Sequence, residues 1–358
     1  MSETVRLGPL RSDIGPDGSR RWPRRSALVR PGCCHGCCQA RSSRGTGQTR
    51  PFLLGRQQFV DPGWLLRRGV GSIRVGWVCL ECLSLTATMS GSTSRVLRPP
   101  NHPVHGTLFM PEGRDAVGAV VLIGGSGGSE PSYVAEPLAA DGLATMSLAY
   151  FGRPALPNEL REIPLEYFRD ALRLLIAELP SRPVPVAVLG MSRGSEAALL
   201  SAIHFKDLVN GLVLTVPGNV ILCSWPPGGP AWMLHGRSLP YVDYSGPGCQ
   251  KPDAIIPVEL VPGPILMISA GADQVWPSAS MARPISDRRR ASGHSSGDLH
   301  LEYPAADHSV GYLIPSLPAG LLPADLEDQP ANKAARGDAW PKVVDFFRRL
   351  PLREVADD

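Results

Sequence analysis

Lysine is nearly absent from this chain: four lysines stand against 32 arginines in 358 residues, a bias we read as coding composition rather than chemistry. Long apolar runs are absent too. No stretch reaches the ~18 unbroken apolar residues of a membrane span, and Met1-Ser-Glu-Thr-Val-Arg-Leu7 lacks the apolar segment of a secretory leader. Cysteine is scarce where a packed domain would use it. Six of the eight cysteines precede Met89, leaving Cys223 and Cys249, too few for a disulfide framework, so a reducing compartment, by default the cytoplasm, is expected. Acidic charge is sparse at the N-terminus: residues 1–88 hold 14 Arg and five acids, a net of about +9, which leaves about −6 for the rest. A mildly acidic main body argues against nucleic acid as its substrate.

Residues 1–88 also lack a sustained period of 3.6 or 2. Rich in Arg, Gly, Ser and Pro, they are expected to form a disordered tail or to precede the true start, Met89-Ser-Gly-Ser-Thr-Ser94 being a natural alternative initiator. Cys34/Cys37 and Cys79/Cys82 make two Cys-x-x-Cys pairs. Four thiolates suit zinc, but the gap between the pairs far exceeds the usual ~15–20 residues. A zinc-binding or nucleic-acid-binding module built on this tail is the alternative outside enzymes. The expected organisation is a tail over residues 1–95 and one catalytic domain over 96–352, with no cofactor, no metal and no membrane span.

Organised pattern begins near Val104. His105-Gly-Thr-Leu-Phe-Met-Pro111 reads as an edge strand. Ala119–Ile123, Leu143–Ala149, Val184–Leu189, Leu212–Val216, Pro264–Ala270 and Leu299–Tyr303 are apolar runs of strand length. Helical patterns cover Pro131–Ala140, Pro164–Leu179 and Asp338–Leu350. Strands alternating with helices predict a mostly parallel sheet covered on both faces. Residues 217–262, heavy in Pro, Gly and Trp, look like an insertion over the site rather than core.

The most informative stretch is Pro185-Val-Ala-Val-Leu-Gly-Met-Ser-Arg-Gly194, followed by a helical run to Ala202. Strand, sharp turn and helix, with Gly-x-Ser-x-Gly at the turn, make the nucleophile elbow of the α/β-hydrolase fold. Gly190 and Gly194 are required because a Cβ two residues either side of Ser192 would meet backbone in so tight a turn. A serine hydroxyl is a weak nucleophile until a histidine takes its proton and a carboxylate orients that histidine. In this fold the chain order is serine, acid, histidine, the last two on loops after late strands. Asp273 follows the strand ending at Ala270, and His308 follows the strand ending at Tyr303. His294 lies in a Ser/Gly loop and His300 before or within a strand; the five earlier histidines violate the order. Asp307 reads as a solvated loop carboxylate. The oxyanion donors are expected at Arg193 N–H and in the Gly124–Gly128 loop, at Ser126 or Gly125. The rival for that loop is phosphate binding, but it lacks the Lys-Ser/Thr ending of a P-loop, and a dinucleotide fingerprint from Gly125 would place glycine where Glu130 stands.

Several ordered segments resemble the C-terminal catalytic domain shared by acyl-CoA thioesterases and bile acid-CoA:amino acid N-acyltransferase. They are His105-Gly-Thr-Leu-Phe-Met-Pro111, Leu143-Ala-Thr-Met-Ser-Leu-Ala-Tyr150, Leu156-Pro-Asn158, Leu165-Glu-Tyr-Phe168, Gly190-Met-Ser-Arg-Gly-Ser-Glu196, Gly271-Ala-Asp-Gln-Val-Trp276, Tyr303-Pro-Ala-Ala-Asp-His308 and Asp338-Ala-Trp340. The resemblance covers about residues 100–350. It implies a Ser (or Cys)–Asp–His triad acting on acyl-CoA thioesters, falling on Ser192, Asp273 and His308. The acyltransferase branch uses cysteine as nucleophile, so serine favours hydrolysis over transfer to an amino acid. Larger members carry an N-terminal β-sandwich, a strand pattern that residues 1–95 do not show. The expected substrate is therefore an acyl-CoA. A carboxylesterase or dienelactone-hydrolase-like enzyme, and an acyl-CoA:amino acid N-acyltransferase, are the alternatives. The resemblance also makes Glu196 notable. Trp225, Trp232 and Trp276 are candidates to line an acyl pocket, with packing as their ordinary role.

Overall fold

A computed structural model describes residues 92–179, 183–243, 251–322 and 328–352. The segment 1–91, with both Cys-x-x-Cys pairs, and Cys249 lie outside the described residues. Eight strands form one sheet: β1 (Ser92–Leu97), β2 (His105–Pro111), β3 (Gly118–Ile123), β4 (Leu143–Ala149), β5 (Val186–Met191), β6 (Gly211–Thr215), β7 (Ile265–Ala270) and β8 (Leu299–Tyr303). Their order is β1-β2-β4-β3-β5-β6-β7-β8. β1 and β2 join antiparallel, and β4, β3, β5, β6, β7 and β8 pair in parallel. The parallel strands β3, β4 and β5 are almost continuously apolar because both their faces are covered. This is the expected architecture, a mostly parallel sheet sandwiched by helices, and with the elbow after β5 it is an α/β-hydrolase fold.

The helices sort by face. α1 (Ser132–Ala140) and α5 (Pro330–Arg348) supply Val134, Leu138, Val343 and Phe347 to a core with Val120, Leu122 and Leu266. α2 (Leu165–Ala177) and α3 (Arg193–His204) supply Leu172, Leu175, Ala197 and Leu200 to a core with Val121, Ile123 and Val188. Alternate residues of β3 thus point to opposite cores, as a period of two requires.

Three expectations change. His105–Pro111 is not an edge strand: β1 lies outside it and pairs along its whole length, so the first strand straddles the boundary expected between residues 95 and 96. α4 (Ser278–Ala291) had no sequence signal, because Pro284 interrupts it and Arg288, Arg289 and Arg290 make its last turn polar. Residues 217–262 are more than a cover. Val220, Ile221, Leu222, Cys223, Ala231, Trp232, Ala254, Ile256 and Val258 are buried, and several of them complete the core around α3.

The strand order reverses at β3. Its successor β4 lies on one side and β5 on the other, so the loops after β3 and β5 diverge and leave a crevice at their carboxyl ends. Ligands of open α/β sheets bind at such a switch point.

Candidate active site

Ser192 sits in that crevice. Its backbone is at φ 53°, ψ −120°, a left-sided conformation that L-residues adopt only when neighbours enforce it. Those neighbours are identifiable. Ser192 N–H donates to Thr215 O at 2.9 Å on β6, and Ser195 N–H and Oγ both donate to Ser192 O, at 2.9 and 2.6 Å. The two motif glycines are sterically obligatory: a Cβ on Gly190 would lie 2.4 Å from Gly194 O, and one on Gly194 would lie 2.4 Å from Ile123 O and 2.5 Å from Gly124 O.

The structure brings Ser192, His308 and Asp273 together across 116 and 35 residues of chain. His308 Nε2 is 3.1 Å from Ser192 Oγ, and His308 Nδ1 is 2.9 and 3.0 Å from the two Asp273 oxygens. With Nδ1–H donating to Asp273, Nε2 is left as acceptor for the Ser192 hydroxyl. The Asp273 side chain is wholly buried and is aimed by Val275 N–H and Trp276 N–H, which donate to Oδ1 at 3.0 and 3.2 Å. The Trp276 ring meets the imidazole edge-on at 6.0 Å, and its Nε1–H is anchored on Val216 O at 3.0 Å.

The oxyanion candidates flank the hydroxyl. Arg193 is the first residue of α3, so its N–H is among those left free at a helix N-terminus, where the macrodipole favours negative charge. Gly125 lies so close that a Cβ there would stand 3.3 Å from Ser192 Cβ. Ser126 lines a small cleft of about 70 Å3 with Ser192, Arg193, Trp225, Val275 and Trp276. Grooves of about 450 and 570 Å3 lie elsewhere, lined by residues such as Lys342, Phe346 and Arg349 or Asn219, Pro257 and Arg288; size does not pick out the site here, chemistry does. Of the three tryptophans, Trp225 and Trp276 border the cleft, whereas Trp232 is fully buried.

Behind Ser192 lies a buried ion pair. Arg193 Nε and Glu196 Oε1 are 2.8 Å apart, though outside hydrogen-bond geometry. Glu196 Oε2 accepts from Trp232 Nε1 at 2.9 Å and Leu222 N–H at 3.2 Å. The guanidinium donates to Cys223 O at 2.9 Å and Leu222 O at 3.1 Å. Burial pushes the Glu196 carboxyl up, with Arg193 pulling it back. Glu196 thus ties the 217–262 segment to the elbow helix.

Other candidates stay apart or change role. His300 bonds Ser269 Oγ at 2.8 Å, and burial lowers its pKa. Asp307 is not a solvated carboxylate: it accepts from Ser309 N–H and Asn332 Nδ2, both at 2.8 Å, and caps the turn His308–Tyr312. Asn332 Oδ1 accepts from Asp307 N–H at 2.9 Å, and the buried Arg336 donates to Ser309 O at 3.2 Å and Ile314 O at 2.8 Å. These two α5 residues, which clasp the histidine loop, were not singled out from sequence. A buried arginine and asparagine on an otherwise amphipathic helix are visible only once burial is known.

Among the described residues no group of His, Cys, Asp and Glu suits a metal, and no helix is long and apolar enough to cross a membrane. The chain is 28% identical over 270 residues to the peroxisomal succinyl-coenzyme A thioesterase of Mus musculus, covering 68% of this chain and 62% of that protein. It is 28% identical over 271 residues to acyl-coenzyme A amino acid N-acyltransferase 2 of Rattus norvegicus, covering 70% and 64%. The chain therefore spans less than two thirds of the length of these relatives. An esterase of Pyrobaculum calidifontis superposes with a TM-score of 0.47 at 19% identity, covering 72% of this chain and 84% of that one. Residues 246–350, from the segment before β7 to the end of α5, match the family described as BAAT / Acyl-CoA thioester hydrolase C terminal.

Proposed function

We propose that this chain hydrolyses acyl-CoA thioesters through an acyl-serine intermediate. The observation that carries the reading is the relay Asp273–His308–Ser192, with both imidazole nitrogens engaged at 2.9–3.1 Å. His308 Nε2 takes the Ser192 proton as Oγ attacks the thioester carbonyl, and Asp273 holds the imidazolium that forms. Arg193 N–H and a donor at Gly125 or Ser126 receive the developing oxyanion. The C–S bond then breaks, and coenzyme A leaves as a thiol with the proton from His308. Water, deprotonated by His308, attacks the acyl-serine, and the proton returns to Ser192 as the free acid departs. The cytoplasmic setting expected from the thiol pattern stays part of this proposal, although one relative carries a peroxisomal name.

The test is thiol release from a series of acyl-CoAs beside matched p-nitrophenyl esters, for the wild-type chain and Ser192→Ala. The expected result is acyl-CoA turnover that falls by at least ~10⁴-fold in the variant, as loss of a nucleophile does elsewhere. Ester cleavage without CoA release would move the reading to an esterase. Because one relative is named an amino acid N-acyltransferase, free amino acids are added in a parallel arm; an acceptor that outcompetes water would make the chain a transferase.

A further inference from the structure

Tyr150, the residue after β4, takes no part in the steps above, yet its hydroxyl meets the loop that those steps use. It donates toward Gly124 O at 2.9 Å and Gly125 O at 3.0 Å. The residue is 1% exposed, with its ring held against Phe151, Phe168 and Trp232 at centroid distances of 5.0, 5.5 and 6.0 Å. Burial raises its pKa far above the ordinary tyrosine value, so the oxygen keeps its proton and remains a donor.

Two successive carbonyls converging on one hydroxyl fix two successive peptide planes. In a trans peptide the N–H points opposite to the C=O of the same plane. With Gly124 O and Gly125 O turned inward to Tyr150, the N–H groups of Gly125 and Ser126 are turned the other way, side by side. Successive N–H groups that share a direction form an anion-binding nest. This nest lies beside the nucleophile, since Gly125 approaches Ser192 too closely to carry a Cβ comfortably and Ser126 lines the same cleft. The loop's own bonding supports the arrangement: Gly128 N–H donates back to Gly125 O at 3.3 Å, and a Cβ on Gly128 would strike the Phe151 ring at 2.7 Å.

We propose that Tyr150 is the positioning residue of the oxyanion site, its buried hydroxyl holding the Gly125 and Ser126 N–H groups as a preset two-donor nest. The proposal rests on Ser192 being the nucleophile, but not on the identity of the acyl substrate.

The test therefore uses a fluorophosphonate, which Ser192 Oγ attacks at phosphorus with loss of fluoride, so that a nest of this kind would act on the phosphoryl oxygen whatever the natural substrate. Tyr150→Phe removes one oxygen and keeps the ring. Its labelling rate constant is expected to fall ~10- to 100-fold, with kcat on acyl-CoA falling in parallel and KM within ~3-fold. Phe168→Leu, which loosens the same ring cluster without touching the hydroxyl, is expected to lower the melting temperature yet label within ~3-fold of wild type. Wild-type labelling by Tyr150→Phe, or an equal fall in Phe168→Leu, overturns the proposal. Should Tyr150→Phe fail to fold, Ser126→Pro on the exposed turn removes one nest N–H directly, and an unchanged labelling rate there overturns it as well. A wild-type chain that labels at Ser192 but turns over no acyl-CoA refutes the thioesterase reading alone. A wild-type chain that does not label at all refutes both.

Discussion

Holding Ser192 at φ 53° costs of order 1–3 kcal/mol, and the bonds to Thr215 and Ser195 together with two obligatory glycines make the alternative conformations costlier still. The neighbouring ion pair has an equally local consequence. Arg193 and Glu196 side chains are 5% and 0% exposed, and a buried charge that loses its partner destabilises by about 3–5 kcal/mol. Arg193→Ala is thus expected to shift the urea midpoint by that equivalent, whereas the double substitution Arg193→Met/Glu196→Leu should recover most of it; a double variant no more stable than the single one would contradict this. At this scale the sequence was unusually informative. Ser192, Asp273 and His308 each follow a readable strand; chain order set aside the five histidines before Asp273, and position in a loop or strand set aside His294 and His300. Tyr150, Asn332 and Arg336 carry no such positional signature. Tyr150 and Arg336 reach backbone carbonyls, and Asn332 reaches the Asp307 N–H and carboxylate; only the folded chain brings those groups near.

Among the elements, the 217–262 segment contributes Trp225 to the cleft beside Ser192. Its Trp225 and the neighbouring Val275 are 45% and 55% exposed at the cleft mouth. The ~70 Å3 cleft is well below the ~300–1,000 Å3 that enclose a drug-sized ligand. On the proposed thioesterase reading, only the first carbons of the acyl group would fit inside, and a longer chain would run along that apolar rim. Removing the indole should cost a medium-chain substrate about 1–2 kcal/mol of contact. Trp225→Ala is therefore expected to lower kcat/KM for octanoyl- or decanoyl-CoA ~10-fold and leave acetyl-CoA within ~2-fold; a uniform loss across chain lengths would place Trp225 outside the acyl path. Elements built on predominantly apolar runs, β3 to β7, were legible to within a residue or two. Those whose pattern is broken were not: β1 alternates weakly inside a polar stretch, α4 ends in three arginines, and α5 starts two turns before its apolar stripe becomes evident.

For the whole molecule, acid is the expected weakness. Burial lowers the pKa of His204 and His300 from 6.5 in the folded state. Below about pH 6.5 the unfolded chain then binds protons that the folded chain resists, so stability falls as pH drops through that range and levels off below the folded pKa values. The urea midpoint should decline between pH 7.5 and 5.5, and the decline should shrink in His204→Gln/His300→Gln, where glutamine at 300 still offers Ser269 a partner; an unchanged slope would mean that other groups set it. The clasp of Asn332 and Arg336 on the histidine loop has a consequence in time as well as in space. A ribosome delivers the serine 116 residues before the histidine, and the helix that fastens the histidine's loop emerges later still. The growing chain can therefore complete its sheet and its strained elbow before α5 is there to fasten the loop that presents His308 to Ser192.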